Sequence, residues 1–446
     1  MKASIGAALL FAVLFLTPLA AFPAAAERGL PSRDEPIVEH GQTVRFEGGE
    51  WVRVRIGDVS LGVIWSTVND TRGAGLRFFL DYARYFGGAE LYDEQGNYLR
   101  TTPLPLHTVL IQELGRMVEF HDADQDDRFD LRITNRTTTG DHPIKILNLT
   151  NGWFLDGPID ETVANGSASV TFTVSATDVP YSLVYDAGLG RLRPATPADG
   201  ALDRISFTFH LDATQHEGTA TVPFYRVTLS SGDPRTPLRS EFLGNRTMTG
   251  RAFNVTGKYD QLIQGWDFAA DPDAKLALAS SFVFGNYYSS RIVQWLQEQF
   301  GGACLRDGSY EQCESDAGPA TPEIIARTRL QIAEGWEKAG EMYWTSDVTV
   351  DGNPATMSFE IYGGARSTIT RDGALFTGFN ALGAFVYPQG QTIFHDPGMS
   401  ASSFYAPIFT ATNLTPSVLV GLQLAVVGIA LVPALLLRRR GRRKAA

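Results

Sequence analysis

Apolar and polar residues alternate along much of this chain. Ile205, Phe207, Phe209 and Leu211 alternate with Ser206, Thr208 and His210. Val52, Val54 and Ile56 alternate with Arg53 and Arg55, and Val170, Phe172 and Val174 with Thr171 and Thr173. A period of two sends one set of side chains to a core and the other toward solvent, which is the pattern of β-strands with one face buried. Turn signals join such runs. Asp351-Gly352 lies between Val348–Val350 and the run Met357, Phe359, Ile361, and Asp-Gly favours the turn that matches strand twist. Leu91 to Leu99, with Gly96-Asn97 near its middle, reads as a second hairpin. Helical spacing is rare. Ile292, Trp295, Leu296 and Phe300 share one helical face, with Ser289 or Ser290 as cap and Gly301-Gly302 as stop. Thr321-Pro322-Glu323 is a second helix start, whereas Arg327–Ile332 alternates and is left open between helix and strand. The pattern predicts an all-β, mainly antiparallel β-sandwich ectodomain with one or two short helices.

Two apolar runs bracket this pattern. Residues 1–26 read as a signal peptide, with Lys2, an apolar stretch from Ile5 to Leu19, and Ala24-Ala25-Ala26 before a cut at Glu27. Val418 to Leu437 contains one polar side chain, Gln423. As a helix it rises about 30 Å, the thickness of bilayer hydrocarbon. Arg438, Arg439, Arg440, Arg442, Arg443 and Lys444 follow it, and clustered basic residues stay cytoplasmic. The expected order is a signal peptide (1–26), an N-terminal segment (27–34) and a first β-domain (35–155). A second β-rich domain (156–396) with a helical insertion near 289–340 follows. A stalk (397–417), a transmembrane helix (418–437) and a basic tail (438–446) complete it. The expected location is the cell membrane, ectodomain outside.

Composition narrows the function classes. The chain has 446 residues, 38 basic and 49 acidic side chains, and a net charge of -11. The two ends hold seven of the basic residues and none of the acids, so residues 27–415 carry a net -18. Nucleic-acid binding needs a basic stripe that displaces counterions, and this balance argues against it. Seven asparagines stand in N-x-[ST] sequons: Asn69, Asn135, Asn148, Asn165, Asn245, Asn254 and Asn413. Their excess fits an exported, N-glycosylated surface. With only Cys304 and Cys313, a cysteine zinc site is excluded. In an oxidising exterior these two are expected to form a disulfide closing a loop of about ten residues.

One segment points to metal chemistry. In His121-Asp-Ala-Asp-Gln-Asp-Asp-Arg-Phe-Asp130, the residues Asp122, Asp124, Asp126 and Asp130 fall at relative positions 1, 3, 5 and 9. Five carboxylates in nine residues repel one another unless a cation neutralises them. The spacing resembles the D-x-D-x-D calcium loops of EF-hand, dockerin and thrombospondin type 3 proteins, in which the Arg128 carbonyl would be the ligand at position 7. It departs from them at position 6, Asp127 in place of glycine, and at position 12, Ile133 in place of glutamate. The strand-like flanks suggest a metal-tied hairpin. Calcium is therefore the one cofactor expected. No catalytic motif is complete: His216-Glu217 lacks a second histidine, and no G-x-S-x-G or phosphate loop occurs. His395-Asp396 has no identifiable nucleophile, and His210 lies on a polar strand face. The tryptophans read mainly as core, with sugar platforms as the alternative. The leading expectation is a non-enzymatic surface glycoprotein in envelope structure, adhesion or recognition, with the membrane and an envelope protein or glycan as partners. A membrane-anchored hydrolase of glycans or peptides and a receptor component of a membrane complex are the alternatives.

Overall fold

The computed structural model describes residues 35–405, apart from 43–48, 58, 68–74, 130–132, 135–136, 139–140, 151, 187–190, 193–198, 233–235, 289–302, 307–310, 314–328, 335–336 and 372–373. These residues are all-β, and no helix occurs among them. The helix expected around Ile292–Phe300, the start at Thr321 and the apolar run 418–437 lie outside the described residues. Arg329–Glu334, at the end of the segment left open, is a strand paired antiparallel with Glu337–Tyr343.

The alternating runs fold as their period predicts. Ile205, Phe207, Phe209 and Leu211 are buried, as are Val52, Val54 and Ile56, and Val170, Phe172 and Val174. The Asp351-Gly352 turn joins Asp347–Val350 to Asn353–Thr356, with φ of 51° and 78°. Two successive positive φ values make the tight turn whose twist follows the strands, and glycine adopts the second without a steric penalty. The second hairpin also forms, pairing Tyr92 with Tyr98.

Twenty-two strands join into one hydrogen-bonded network in which nearly every pairing is antiparallel. Strand Tyr98–His121 is its centre. It pairs along one edge with Leu76–Tyr92 and along the other with Ala274–Tyr288, while its C-terminal end also meets His142–Asn148. A long hairpin, Gly200–Leu229 with Pro237–Gln264, runs beside it. Among the described residues one pairing is parallel, and it ties the two together: Phe224–Thr228 runs beside Gly88–Tyr92 in the same direction. Segments on both sides of residue 156 thus contribute to one network.

Faces of different strand groups meet over aromatic rings. Phe78 packs on Phe209 and Tyr259, each 5.7 Å between ring centroids, and Trp65 stacks on Phe172 at 5.9 Å. Gly257 permits the approach, because a methyl group there would meet Phe78 at 2.5 Å and Leu61 at 2.8 Å. Trp65, Trp153 and Trp266 are fully buried, and Trp344 nearly so, which places four of the seven tryptophans in the core. The core also holds polar groups that hydrogen-bond to one another. Tyr259 donates to Gln112 at 3.1 Å, and Gln261 to Tyr387 at 3.0 Å. The Tyr387 hydroxyl is in turn 3.0 Å from His395 Nδ1. The backbone register sets Cys304 directly opposite Cys313.

His395 is wholly inside, packed on Phe385 and Tyr387. Burial lowers its pKa from 6.5 to about 4, against the opposing pull of the Thr345 carbonyl. The folded chain therefore holds the neutral ring, and as pH falls the unfolded chain takes up its proton first. The associated stability is present above pH 6.5 and is lost as pH falls from 6.5 toward 4, by about 3 kcal/mol. Urea unfolding at pH 7 and pH 4.5 should show this loss in the wild type and a smaller one in His395→Gln. Equal losses would remove His395 as the cause.

Candidate metal centre

The acidic segment sits where three elements end together. Strand Tyr98–His121 stops at His121, which pairs with His142 at the start of one neighbour and with Ala274 at the start of the other. The residues just outside these strands, Asp122, Asp141, Asp271 and Asp273, are thereby gathered at one end of the sheet. Sequence spacing alone pointed to Asp122, Asp124, Asp126, Asp130 and the Arg128 carbonyl. Among the described residues the fold brings two of these, Asp122 and Asp124, together with Asp141.

Carboxylate oxygens of Asp122, Asp124 and Asp141 lie within 4.8 Å of one another, with Asp122 and Asp141 buried and Asp124 exposed. Asp141 is held in place by accepting from the Ala123 amide at 2.8 Å. Asp122 folds the loop around itself, accepting from the Asp126 and Asp127 amides at 3.2 and 3.1 Å. Its own amide donates to the Asp273 carbonyl at 3.1 Å. Asp126 is turned to other partners: it accepts from the Arg128 amide at 3.0 Å and faces the Arg128 guanidinium at 3.6 Å. Partial burial, with the charges of Asp124 and Asp122, holds its carboxyl above the usual carboxylate range. Asp130 lies outside the described residues.

A second group adjoins the first. His121 Nδ1 is 2.8 Å from Asp271 Oδ2, and Asp273 completes a set of three whose ligand atoms also lie within 4.8 Å. Gln125 bridges the groups by donating to Asp273 at 2.9 Å. Beneath both, Glu119 is fully buried and accepts from Trp266 Nε1 at 2.9 Å and the Ala269 amide at 2.7 Å, with Lys145 Nζ 3.2 Å away. This pins the loop that carries Asp271 and Asp273. On the far side, Phe129 is buried against Phe120, Ser358 donates to the Asp127 carbonyl, and Lys275 pairs with Asp127 at 2.6 Å.

The donor set decides the chemistry it suits. Three carboxylates offer three to six hard oxygens, a donor set that suits hard divalent cations such as calcium, magnesium or manganese. Zinc and copper sites use imidazole or thiolate, and the first group has neither. Asp141, Asp271 and Asp273 were not legible as partners of the acidic segment, since they stand next to it only through strand pairing. The signal that could have found them is position: each lies within three residues of a strand start.

Elsewhere, sequence candidates resolve into structural roles. Asp396 pairs with Lys258 at 2.7 Å, while His395 is buried. His210 stands between Thr171 and Asp260, 3.3 Å from each, on an open strand face, as a cross-strand polar ladder does. Of the sequons, Asn148, Asn165 and Asn245 are exposed and Asn254 is half-buried; Asn69, Asn135 and Asn413 lie outside the described residues. No protein-family model matches the chain, and no curated protein matches it.

Asp127, at the position where calcium loops usually carry glycine, has φ of 57°. A β-branched residue is strained there and glycine is not, while either replacement removes the Lys275 pair. Asp127→Val should therefore be less stable than Asp127→Gly by roughly 1–2 kcal/mol in chemical denaturation. Indistinguishable variants would show that the loop relaxes to another backbone.

Proposed function

We propose that the chain is a single-pass surface glycoprotein whose β-sandwich ectodomain serves envelope structure, adhesion or recognition, with calcium bracing one end of the sheet. The observation that carries the surface assignment is that three of the four described sequon asparagines are exposed. The packing of Phe78 and Trp65 from one strand group on Phe209, Tyr259 and Phe172 from another supports the sandwich. Among the described residues no helix is long and apolar enough to cross a membrane, and the proposed span, 418–437, lies outside them. An envelope protein or a glycan is the proposed partner. The opposed register of Cys304 and Cys313 supports a bridge, because paired antiparallel residues have Cα atoms about 4.5–5.5 Å apart, within disulfide range.

Protease added to intact cells should degrade the ectodomain and leave a short anchored fragment. The chain should take up thiol reagent only after denaturation and reduction. An ectodomain that survives, where other surface proteins are cleaved, would reverse the orientation. Thiols reactive before reduction would remove the bridge.

Calcium binding to Asp122, Asp124 and Asp141 stabilises the fold, since the unfolded chain lacks the site. At a hundredfold excess over the dissociation constant the gain is roughly 2.7 kcal/mol. Extracellular modules bind at about 0.1–1 mM, so thermal melts need calcium to tens of millimolar. Sodium chloride at equal ionic strength is the control, as screening alone relieves carboxylate repulsion. The Asp124→Asn, Asp141→Asn double variant should lose the calcium-specific shift, and Asp126→Asn should keep most of it. If calcium and sodium act alike on the wild type, the site is a solvated acidic turn.

A further inference from the structure

At the other end of the central strand the surface changes character. Four strands lie side by side there: Tyr98 pairs with Tyr92, Tyr92 with Thr228, and Thr228 with Arg239. At the usual strand spacing this tip is about 14 Å wide. It carries four of the seven large apolar side chains that are exposed among the described residues. These are Tyr98 at 56%, Leu99 at 50%, and Leu238 and Phe242 at 51% each. The remaining three, Phe154, Val163 and Phe394, stand apart on other strands.

The tip is built to hold this surface steady. Asp93 closes the first hairpin, accepting from the Asn97 amide at 2.7 Å and its side chain at 2.8 Å. Glu94 accepts from the Ser231 amide at 2.9 Å and so joins the two hairpins. The Tyr92 and Tyr98 rings meet edge to face at 5.7 Å, with the Arg226 guanidinium over Tyr92 at 5.1 Å. Charge differs there too. Segments 88–102 and 222–246 carry five arginines and five acids, in a chain whose net charge is -11. A neutral patch of tyrosine, leucine, phenylalanine and arginine suits the headgroup region of a bilayer, where amphipathic rings and apolar side chains bury shallowly.

The course of the chain selects that occupant. Strand Gly398–Tyr405 pairs antiparallel with the long hairpin, Gly398 opposite Lys258 and Tyr405 opposite Arg251. It therefore leaves the fold heading toward the tip. From the level of Arg251, Phe242 and Leu238 lie nine and thirteen residues farther along the same hairpin strand, about 30–43 Å. Residues 406–417, between Tyr405 and the apolar run at Val418, span at most roughly 40 Å. Residues 406–417 are thus long enough to reach the level of Phe242.

We propose that Tyr98, Leu99, Leu238 and Phe242 rest on the outer leaflet of the same bilayer that Val418–Leu437 spans, so that the ectodomain stands on its membrane at two points. This rests on the single-pass reading above. The test uses the full chain in phosphatidylcholine vesicles, with Leu99→Cys, Phe242→Cys or Phe394→Cys carrying an environment-sensitive fluorophore and the unsubstituted chain as labelling background. Phe394 is an exposed aromatic side chain paired near Leu262, far from the tip. Lipid bearing a headgroup-depth spin label should quench the dyes at 99 and 242 about twofold or more and leave that at 394 unchanged, as a shallow interfacial contact requires. Equal quenching at all three positions overturns the contact. So does quenching at 99 and 242 that appears without the spin label and fades as protein is diluted in lipid, because a second copy then covers the tip. A chain stripped from vesicles by alkaline carbonate fails the single-pass reading, and the contact falls with it. A chain that resists stripping yet shows no quenching at 99 and 242 overturns the contact alone.

Discussion

The buried carboxylate of Glu119 fixes the register on which the rest of the fold depends. It lies on the central strand opposite Lys145 on one side and Leu276 on the other, and it accepts from Trp266 and Ala269. A slip of one residue along either neighbour would turn this carboxylate to the opposite face and leave it buried without donors. Removing one partner of such a pair costs about 3–5 kcal/mol, far more than a surface ion pair contributes. The same strand carries Val118 and Phe120 into a satellite core with Phe129 and Ala277. Polar pairing and apolar packing thus demand one register, and that register sets which residues emerge beyond His121.

Those emerging residues are acidic because the strand ends are. The strands stop at His121, His142 and Ala274, and the turns beside them supply aspartates that accept backbone amides left without ladder partners. Aspartate does this well, since its short side chain reaches amides one to five residues away. The clustering is thus partly a consequence of turn chemistry. What exceeds that need is the gathering of three carboxylates within 4.8 Å of one another, with Asp122 and Asp141 buried. The proposed hard cation would neutralise these like charges.

Local structure was far more legible in the sequence than the gathering of distant residues. The period of two located the buried faces at Val52–Ile56, Val170–Val174 and Ile205–Leu211, and Asp351-Gly352 named its own turn. These signals are local, set by the alternation of side chains and by φ. The parallel contact of Phe224–Thr228 with Gly88–Tyr92 joins segments well over a hundred residues apart, and nothing in either announces the other. Asp141 was missed for the same reason, and spacing alone could not show that Arg128 lies beside Asp126. Alternation also misleads where a ribbon has no core beneath it. Residues 214–221 and 244–252 remain strands although none is buried, held by continuous pairing and cross-strand contacts such as Thr221–Thr247 at 3.1 Å. Their polar, threonine-rich composition suits water on both faces, which periodicity read as a sandwich strand does not predict.

The length of the central strand separates the two ends of the molecule physically. His121 and Tyr98 are joined by one continuous strand of 24 residues, roughly 75 Å when extended. The Debye length in physiological salt is about 8 Å, so the acidic end exerts almost no field at the neutral tip. A cation bound at Asp122 therefore cannot act on Tyr98 or Leu99 through charge. Any coupling must pass along the ladder, through the pairing of the central strand with Leu76–Tyr92 and Ala274–Tyr288. Bulges interrupt that ladder between Tyr85 and Gly87 and between Ala279 and Ser280. Bulges bend and twist strands locally, so they are the places where strain from one end would be absorbed before it reached the other. The structure thus favours two independent ends, one acidic and ordered by turns, one apolar and ordered by hairpin caps, held at a set distance by a continuous sheet.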